Sequence, residues 1–310
     1  MIKKSSLREA YGKELLSLAR ENEKIVVLDA DLRGSTMSCY FAKEFPERFF
    51  EMGIAEQNMI STAAGLSLIG KIPFVNTFSV FATGRPYDQI RQGVALPKLN
   101  VKIVGSSCGL SDYGDGATHQ SVEDMSIMRS IPNMVVISPV DAIEMKKVVR
   151  AVVEYKGPVY IRINRNDLPI LTDENELFEI GKINKIADGK DITIFATGFM
   201  VYQALQARAI LQDKGISVRV INVSTIKPID VDKVKEYIKD VKGVITAEEH
   251  SIIGGLGGTI CEALSDELVK VKRVGIDDKF GQSASNYEEL ISYYGLIPQV
   301  IVEKAEELLS

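Results

Sequence analysis

Glu56 is the residue in this chain whose neighbours best suit it for chemistry. It lies in the segment 53–59, Gly-Ile-Ala-Glu-Gln-Asn-Met, just before a run of small residues with helical spacing. A carboxylate in such an apolar segment can share a proton with a ring nitrogen of a ligand. A glutamate at the start of a helix also interacts favourably with the helix dipole, so a purely structural role for Glu56 is the alternative.

Two phenylalanines could contribute flat surfaces to the same site. Phe78 and Phe81 belong to the segment 77–81, Thr-Phe-Ser-Val-Phe, which follows an apolar, strand-like run. Residues at the carboxyl ends of strands commonly line ligand crevices, and aromatic rings there can stack on a heterocycle. Ordinary core packing is the alternative for both rings.

A glycine-dense loop carries one of the two histidines in the chain. The segment 112–120 reads Asp-Tyr-Gly-Asp-Gly-Ala-Thr-His-Gln and contains Asp115 and His119. A loop histidine beside an aspartate can act as an acid or base or bind hydroxyl groups. An exposed, inert histidine is the alternative interpretation.

The elements that must position these residues alternate between strand-like and helix-like patterns. Strands are predicted at 24–29, 72–76, 101–105, 134–138 and 159–163, and helices between them at 37–45, 56–68 and 141–155. Strands that are apolar on both faces and separated by helices indicate a mostly parallel sheet covered on both sides. We therefore predict an α/β fold.

The alternation breaks at a polar stretch and then resumes, which predicts two α/β domains. Residues 1–168 form the first predicted domain, 169–190 a linker, and 191–310 a second, smaller domain. In the second domain, strands are predicted at 191–195, 217–222, 243–247 and 273–276, and helices at 201–214, 231–239 and 259–269. An acidic tract, Pro169 and Gly181 support the linker.

Composition limits the classes of function. The formal net charge is -5 without a basic run, which argues against a nucleic-acid partner. No stretch approaches the roughly 18 apolar residues of a membrane span, and no signal-peptide pattern opens the sequence. The three cysteines, Cys39, Cys108 and Cys261, are widely spaced and odd in number. We expect a cytoplasmic protein that is neither exported nor embedded.

Taken together, the motifs resemble the transketolase family of thiamine diphosphate enzymes, over nearly the whole chain. The resemblance rests on segments 53–59, 114–120 (Gly-Asp-Gly-Ala-Thr-His-Gln) and 162–169, together with Thr77, Phe78 and Phe81. It implies the family's pyrimidine-binding domain, a thiamine diphosphate-binding fold, followed by its C-terminal domain. Segment 277–284 adds weaker support, because Ala284 stands where the family usually has glycine; we expect this departure to concern the second domain and not the site.

The resemblance assigns roles at the cofactor end of a site. Glu56 would hydrogen-bond the aminopyrimidine ring nitrogen, and Phe81, with Phe78 nearby, would stack on that ring. Asp31 and Leu32 match further cofactor-binding positions. The cofactor would act as the electron sink for transfer of a two-carbon ketol unit.

Other matched residues would bind a sugar phosphate. Arg8, Ser35 and Arg165 match the family's phosphate-binding positions, where arginine forks and hydroxyl donors suit phosphate. Asp115 and His119 would bind substrate hydroxyls, and His119 could also relay protons. Ser107 stands where some transketolases have a further substrate histidine, so it bears on how tightly phosphate is held. A surface arginine, an N-cap serine and an interdomain salt bridge are the structural alternatives for the first three residues.

No metal ligand is predicted in this chain. Thiamine enzymes hold magnesium with Gly-Asp-Gly followed by an asparagine some way downstream, but the asparagine that follows Gly114-Asp115-Gly116, Asn133, comes too early. Mg²⁺ or Ca²⁺ and the diphosphate would therefore bind through a partner, an N-terminal transketolase subunit, in an assembly of two copies of each chain.

The glycine-rich segment 254–258 invites a dinucleotide-binding interpretation, but Ile260 stands at the third glycine position of that motif. A tight loop between a strand and a helix fits better, and His250 is interpreted as structural or interfacial. The sequence thus predicts the C-terminal subunit of a split transketolase. Half of a 1-deoxyxylulose-5-phosphate synthase is the nearest alternative, a 2-oxo acid dehydrogenase beta subunit fits less well, and a non-catalytic paralogue is the alternative of another class.

Overall fold

The apolar, β-branched runs form buried strands in the computed structural model, which describes residues 3–310. The strands are β1 (Lys4–Ser6), β2 (Ile25–Asp29), β3 (Phe49–Glu51), β4 (Ile72–Phe78), β5 (Lys102–Ser106), β6 (Val135–Ile137), β7 (Val159–Ile163), β8 (Asp167–Pro169), β9 (Asn184–Ala187), β10 (Ile192–Ala196), β11 (Val218–Asn222), β12 (Thr225–Lys227), β13 (Gly243–Ser251) and β14 (Val271–Ile276). Twelve of them build two mostly parallel sheets, which confirms the predicted fold class, and β1 and β8 form a separate antiparallel pair.

Helices connect most of the parallel strands. They are α1 (Leu7–Glu21), α2 (Arg33–Thr36), α3 (Cys39–Glu44), α4 (Glu56–Leu68), α5 (Ser79–Thr83), α6 (Asp124–Ser130), α7 (Ala142–Glu154), α8 (Met200–Asp213), α9 (Val231–Glu236), α10 (Leu256–Ala263), α11 (Tyr287–Tyr293) and α12 (Pro298–Leu309). A π-helical segment spans Gln89–Ala95, and a short 3₁₀ turn spans Gly116–Thr118. None of the helices within residues 3–310 combines the length and the apolar character needed to cross a membrane.

The larger sheet has seven strands in the order β12, β6, β7, β5, β4, β2, β3. All neighbouring pairs are parallel except β12 on β6. Alternate residues of β2 serve opposite faces: Ile25 and Val27 pack with α1 and α7, whereas Val26 and Leu28 pack with α4. This alternation explains why the strands read as apolar on both faces.

The second sheet has five strands in the order β14, β13, β10, β11, β9, and only β9 is antiparallel. Helices α8 and α12 cover one face of this sheet. On its other face, Phe195 and Val244 join the core that extends to α4 of the larger sheet. The two sheets therefore share buried apolar surface.

The predicted helix at 37–45 forms as α3 but begins two residues later than predicted, because a buried carboxylate bends the chain just before it. Asp29 accepts hydrogen bonds from the hydroxyls of Thr36 and Ser38 at 2.7 and 2.8 Å. Met37, between them, has a left-handed backbone with φ 64°. The left-handed Met37 therefore ends α2 and separates it from α3.

Short strands also form where the sequence pattern shows none. β12 leaves the second half of the chain and pairs antiparallel with β6 of the larger sheet, between the predicted strand at 217–222 and the predicted helix at 231–239. β8 pairs with β1, and β9, within the predicted linker, extends the smaller sheet. Strands of three or four residues carry too little apolar periodicity to be predicted from sequence. The boundaries at 168 and 191 stay a prediction.

Candidate active site

The carboxyl ends of four parallel strands gather the candidate residues at one edge of the larger sheet. Leu32 follows β2, Phe78 ends β4, Ser107 follows β5, and Arg165 follows β7. These strands are adjacent and parallel, in the order β7, β5, β4, β2. The loops after them therefore meet, as expected for a ligand crevice in an α/β sheet.

Glu56 is the first residue of α4, and its side chain is only 4% exposed. The Arg85 guanidinium, whose side chain is 47% exposed, donates a hydrogen bond from Nη1 to Glu56 Oε1 at 2.7 Å. A second contact holds the same arginine, because its guanidinium carbon lies 4.2 Å from the centroid of the Phe81 ring. The carboxylate is thus buried, yet it meets a partner that can move into solvent.

Aromatic rings form the wall beside Glu56. Phe78 and Phe81 stack with centroids 6.1 Å apart and planes 16° apart, while the His119 ring meets Phe81 edge-on at 5.3 Å. The hydroxyl of Thr118 lies 2.9 Å from His119 Nδ1. Phe78 is buried behind the half-buried Phe81.

A cavity of about 350 Å³ opens among these groups. Its lining comprises Ala30, Asp31, Leu32, Ile54, Glu56, Phe81, Arg85, Thr118 and His119. The structure therefore brings five of the sequence-predicted residues to one cavity, drawn from four separate segments of the chain. The lining combines one buried carboxylate with apolar and aromatic surface, a combination typical of a small-molecule site.

Asp29 shapes the cavity rim contributed by Asp31 and Leu32. Its carboxylate accepts the N–H of Leu32 at 2.6 Å in addition to the hydroxyls of Thr36 and Ser38. Burial raises the pKa of Asp29 to about 6, although these three hydrogen bonds act in the opposite direction. The backbone of Asp31 has φ 60°, so the turn at the rim depends on this support.

The predicted phosphate-binding residues Arg8, Ser35 and Arg165 are not among the residues that line the cavity. Arg8 donates from Nη1 to the carbonyl of Ser35 at 2.8 Å, and its Nε has no partner among residues 3–310. The Arg165 guanidinium carbon lies 5.7 Å from the centroid of the Phe78 ring. Burial and the nearby positive charge of Arg165 both lower the pKa of Arg8.

Arg165 is not a free cation. Its Nη1 lies 3.1 Å from Oδ2 of Asp112 and 3.5 Å from the hydroxyl of Ser107. Asp112 and Ser107 are both buried. Burial raises the pKa of Asp112, and Arg165 opposes that shift.

The loop that carries His119 is closed by Gln120 and by the second half of the chain. Gln120 Nε2 donates to the carbonyls of Asp112 at 3.1 Å and Gln282 at 3.0 Å. Ala284 donates its N–H to the carbonyl of Tyr113 at 2.9 Å. The departure at Ala284 therefore lies against the loop of the site, contrary to the sequence-based expectation. Asp115 is exposed on this loop and is not part of the cavity lining.

Glu249 of β13 connects the second sheet to the loops that carry Asp112 and Arg165. Its Oε1 accepts the N–H of Leu110 at 2.8 Å, while Oε2 accepts from Asn164 at 3.0 Å and from the Tyr287 hydroxyl at 2.7 Å. Burial raises the pKa of Glu249 to about 7, against the effect of Arg162. The residues that flank Asp112 and Arg165 in sequence are thus fixed by a buried group.

The glycine-rich segment 254–258 is the tight strand-to-helix loop that the sequence analysis favours. Both oxygens of the buried Glu248 carboxylate accept N–H groups at the start of α10, from Leu256 at 2.7 Å and Gly257 at 2.8 Å. These amides would have to bind a dinucleotide diphosphate, so the chain's own carboxylate excludes it. His250 is buried between the two halves, and burial lowers its pKa to about 4.

Sequence reasoning missed two charged residues, Arg85 and Asp112. Arg85 stands four residues after Phe81, in the turn just beyond the end of α5, and its guanidinium lies over the Phe81 ring. Asp112 lies in the quoted loop, but nothing in its spacing indicates a pairing with Arg165, 53 residues away. Within residues 3–310, no group of three or more His, Cys, Asp or Glu side chains could hold a metal ion.

Comparison with known proteins gives the family. Residues 3–170 match the family model described as "Transketolase, pyrimidine binding domain", and residues 181–301 match "Transketolase, C-terminal domain". A protein of Methanocaldococcus jannaschii described as a putative transketolase C-terminal section is 50% identical over 305 residues, which cover 97% of this chain and 95% of the relative.

Two further similarities bear on the arrangement of the chain. A 1-deoxy-D-xylulose-5-phosphate synthase of Dictyoglomus thermophilum is 40% identical over 97% of this chain, which spans only 49% of that enzyme. A solved structure described as a split-gene transketolase in an inactive beta4 tetramer is 44% identical, covers 99% of both chains, and superposes with a TM-score of 0.90. With its strand-end cavity, its buried Glu56 and both family domains in the family order, this chain belongs to the transketolase family.

Proposed function

We propose that the chain is the C-terminal subunit of a thiamine diphosphate-dependent transketolase, which transfers a two-carbon ketol unit from a ketose phosphate to an aldose phosphate in pentose phosphate metabolism. The observation that carries the proposal is the cavity where Glu56, Phe81 and His119 meet. It offers a buried carboxylate, an aromatic face and a histidine within one volume of about 350 Å³.

The residues of this chain fit the aminopyrimidine end of the cofactor. Glu56 presents a buried carboxylate at the cavity wall, and the Arg85 guanidinium that lies over the Phe81 ring belongs to a half-exposed side chain that can withdraw into solvent. Asp31 and Leu32 add the rim of the same cavity. When bound, thiamine diphosphate supplies an electron sink for breaking and forming the carbon–carbon bond next to a carbonyl.

The chain's own groups prepare that chemistry. Glu56 binds the aminopyrimidine ring nitrogen and holds a proton there, and burial keeps water from competing for the same carboxylate oxygens. Phe81 stacks on the ring, with Phe78 packed behind it. His119, edge-on to both phenylalanines, binds substrate hydroxyls and moves protons at the substrate oxygen.

At the sugar end, a second group of residues forms what we call the phosphate-binding cluster: Arg8, Ser35, Ser107 and Arg165. Arg8 and Arg165 bind the terminal phosphate together with Ser35 and Ser107, since arginine forks and hydroxyls suit phosphate oxygens. Arg8 retains an unpaired Nε for such an acceptor. Asp115 binds a sugar hydroxyl from the exposed loop.

The active assembly in this proposal pairs two copies of the chain with two of an N-terminal subunit in the cytoplasm. The partner contributes the diphosphate-binding domain and Mg²⁺ or Ca²⁺, because no ligand cluster for a metal occurs in residues 3–310. The relative described as a C-terminal section and the split-gene structure described as inactive support a division of the enzyme into two chains.

Half of a 1-deoxyxylulose-5-phosphate synthase is the second candidate, supported by the relative from Dictyoglomus thermophilum. The segment 162–169 favours transketolase in sequence. The two reactions differ in the donor, because the synthase decarboxylates pyruvate. A non-catalytic paralogue is disfavoured, since Glu56, Asp115 and His119 are all present.

The test is to isolate the chain with whatever co-purifies from its native extract and to assay both preparations. We expect ketol transfer between ketose and aldose phosphates only in the complex supplied with thiamine diphosphate and magnesium. Carbon dioxide release from pyruvate would favour the synthase instead. Ketol transfer by the chain alone would contradict the two-subunit proposal, and a complex without either activity would support the paralogue.

A further inference from the structure

The phosphate-binding cluster contains a carboxylate that opposes phosphate. Asp112 lies 3.1 Å from Arg165 through Oδ2, and its side chain is only 4% exposed. The pair therefore lies in a poorly hydrated place, where charges interact more strongly than they do in water. Arg165 remains 33% exposed, so a ligand can still reach it.

The charge balance of the cluster is low for a dianion. Arg8 and Arg165 bring two positive charges, and Asp112 removes one of them at the arginine that it holds. A terminal phosphate must either compete with Asp112 for Arg165 or bind beside a like charge. A sugar with an uncharged end meets no such competition.

Loop architecture does not explain the carboxylate. The turn that contains Asp112 is closed by backbone groups, because its carbonyl accepts the N–H of Gly116 at 3.3 Å and Nε2 of Gln120 at 3.1 Å. Its side chain contacts Arg165 and the hydroxyl of Ser107. The carboxylate thus acts on the phosphate-binding arginine and not on the fold of the loop.

We propose that Asp112 is a specificity-determining residue that weakens the hold of Arg165 on a terminal phosphate, so that the enzyme accepts sugars with uncharged ends as well as sugar phosphates. The inference rests on the proposed function, because it takes Arg8 and Arg165 as the phosphate-binding residues. It adds the class of substrate: polyhydroxylated ketoses and aldoses whose far end is a phosphate or a hydroxyl group.

Inorganic phosphate titrated into the isolated full-length chain tests the inference without any catalysis. Asp112→Asn keeps the shape of the side chain and removes its charge. We expect it to bind phosphate about tenfold more tightly than the unaltered chain, the size expected for freeing one charge-assisted hydrogen bond. Isothermal titration calorimetry measures both affinities, and circular dichroism verifies that the variant is folded.

Two matched variants separate the ion pair from a general charge effect. Asp167→Asn removes an exposed charge that also acts on Arg8 but makes no ion pair with Arg165, and it should change phosphate affinity by less than about twofold. Asp112→Glu keeps the charge and should keep the weak binding. Equal tightening by Asp167→Asn, or unchanged or weaker binding by Asp112→Asn, would overturn the inference. So would the absence of saturable phosphate binding in both the unaltered chain and Asp112→Asn.

The assembled enzyme gives a second readout. In Asp112→Asn the ratio of kcat/KM for a phosphorylated aldose to that for the same unphosphorylated aldose should rise about tenfold, through KM and not kcat. An unchanged ratio in an active enzyme would overturn the inference. If the complex has no ketol-transfer activity, the proposed function fails, while the phosphate titration still decides whether Asp112 opposes phosphate binding.

Discussion

Two arginine–carboxylate pairs in the candidate site both bury the carboxylate, but they differ in which member is the proposed working group. At the cofactor end, buried Glu56 meets the more exposed Arg85 at 2.7 Å. At the sugar end, buried Asp112 meets Arg165 at 3.1 Å. In the first pair the proposed working group is the anion and the cation can leave. In the second the working group is the cation, and the anion stays beside it.

The difference shows that an ion pair does not by itself indicate a structural role. A half-exposed arginine contributes little net stability as a partner, so it can be displaced when a ligand arrives. A buried carboxylate cannot withdraw into solvent, and it keeps acting on its neighbour after a ligand binds. Removing one residue of the Glu56–Arg85 pair should therefore affect ligand binding and turnover differently from removing one residue of the Asp112–Arg165 pair.

The largest expected effect is at the cofactor end. Glu56→Gln in the assembled enzyme should lower kcat by about 10²- to 10⁴-fold, since it removes the proposed proton-holding carboxylate. KM for the sugar phosphate should change little, because the arginine cluster is untouched. Steady-state kinetics measure both constants, with Gln57→Glu, an exposed neighbour on α4, as a control. Unchanged turnover would reject the role assigned to Glu56.

Loss of the support under the sugar end should come next. Glu249→Ala leaves the N–H of Leu110 and the polar groups of Asn164 and Tyr287 without their buried acceptor. We expect the free energy of unfolding to fall by about 3 kcal/mol. Urea denaturation of the chain measures this change. As a control, Glu267→Ala removes only an exposed partner of Lys235 and should lower the free energy of unfolding by less than about 0.5 kcal/mol. An equal loss of unfolding free energy in the two variants would contradict the stabilising role assigned to the buried Glu249.

Removing the cation of the second pair should act on binding alone. Arg165→Met is expected to raise KM for a sugar phosphate by about 10- to 100-fold with kcat nearly unchanged, since it removes a charge-assisted phosphate contact. Kinetics with phosphorylated and unphosphorylated aldoses provide the comparison. A loss confined to kcat would place Arg165 at the reacting atoms and remove the distinction between the two ends.

Glu249 also makes stability depend on pH. Its pKa is raised by burial from the ordinary value of 4.5 to about 7, so the folded chain keeps a proton that the unfolded chain loses. That contribution is full below about pH 4.5 and is lost as pH rises through 7. Glu249→Gln should make the decline in unfolding free energy across this window shallower, by up to about 1.4 kcal/mol per pH unit. Urea denaturation at several pH values measures the slopes, and identical slopes would exclude this titration.

The smallest expected effect is at Arg85. Arg85→Met keeps an apolar contact with Phe81 but frees the Glu56 carboxylate, and it should tighten thiamine diphosphate binding to the assembled enzyme about threefold. Calorimetric titration of the cofactor provides the measurement. Weaker binding would mean that Arg85 is a ligand of the cofactor and not its competitor.

Much of the framework is predictable because it depends on local pattern. Runs such as 72–76 and 159–163 are β-branched and apolar, and buried parallel strands form there. The second-half strands predicted at 191–195 and 217–222 likewise match β10 and β11 to within one residue at each end. The bend at Met37 that separates α2 from α3 is not predictable in this way, because it depends on hydrogen bonds from Thr36 and Ser38 to the buried Asp29 carboxylate, which helical periodicity does not indicate.

The sequence alone determined the family resemblance, the α/β alternation and the candidate residues Glu56, Phe81 and His119, because these depend on residue type and short spacing. Only the tertiary structure decided that Arg85 lies on Glu56, that Asp112 opposes Arg165, and that Glu249 supports the sugar end. These contacts join residues 29, 53 and 139 positions apart. They depend on where the parallel strands end and on how the second sheet packs. Short-range sequence spacing indicates neither of these.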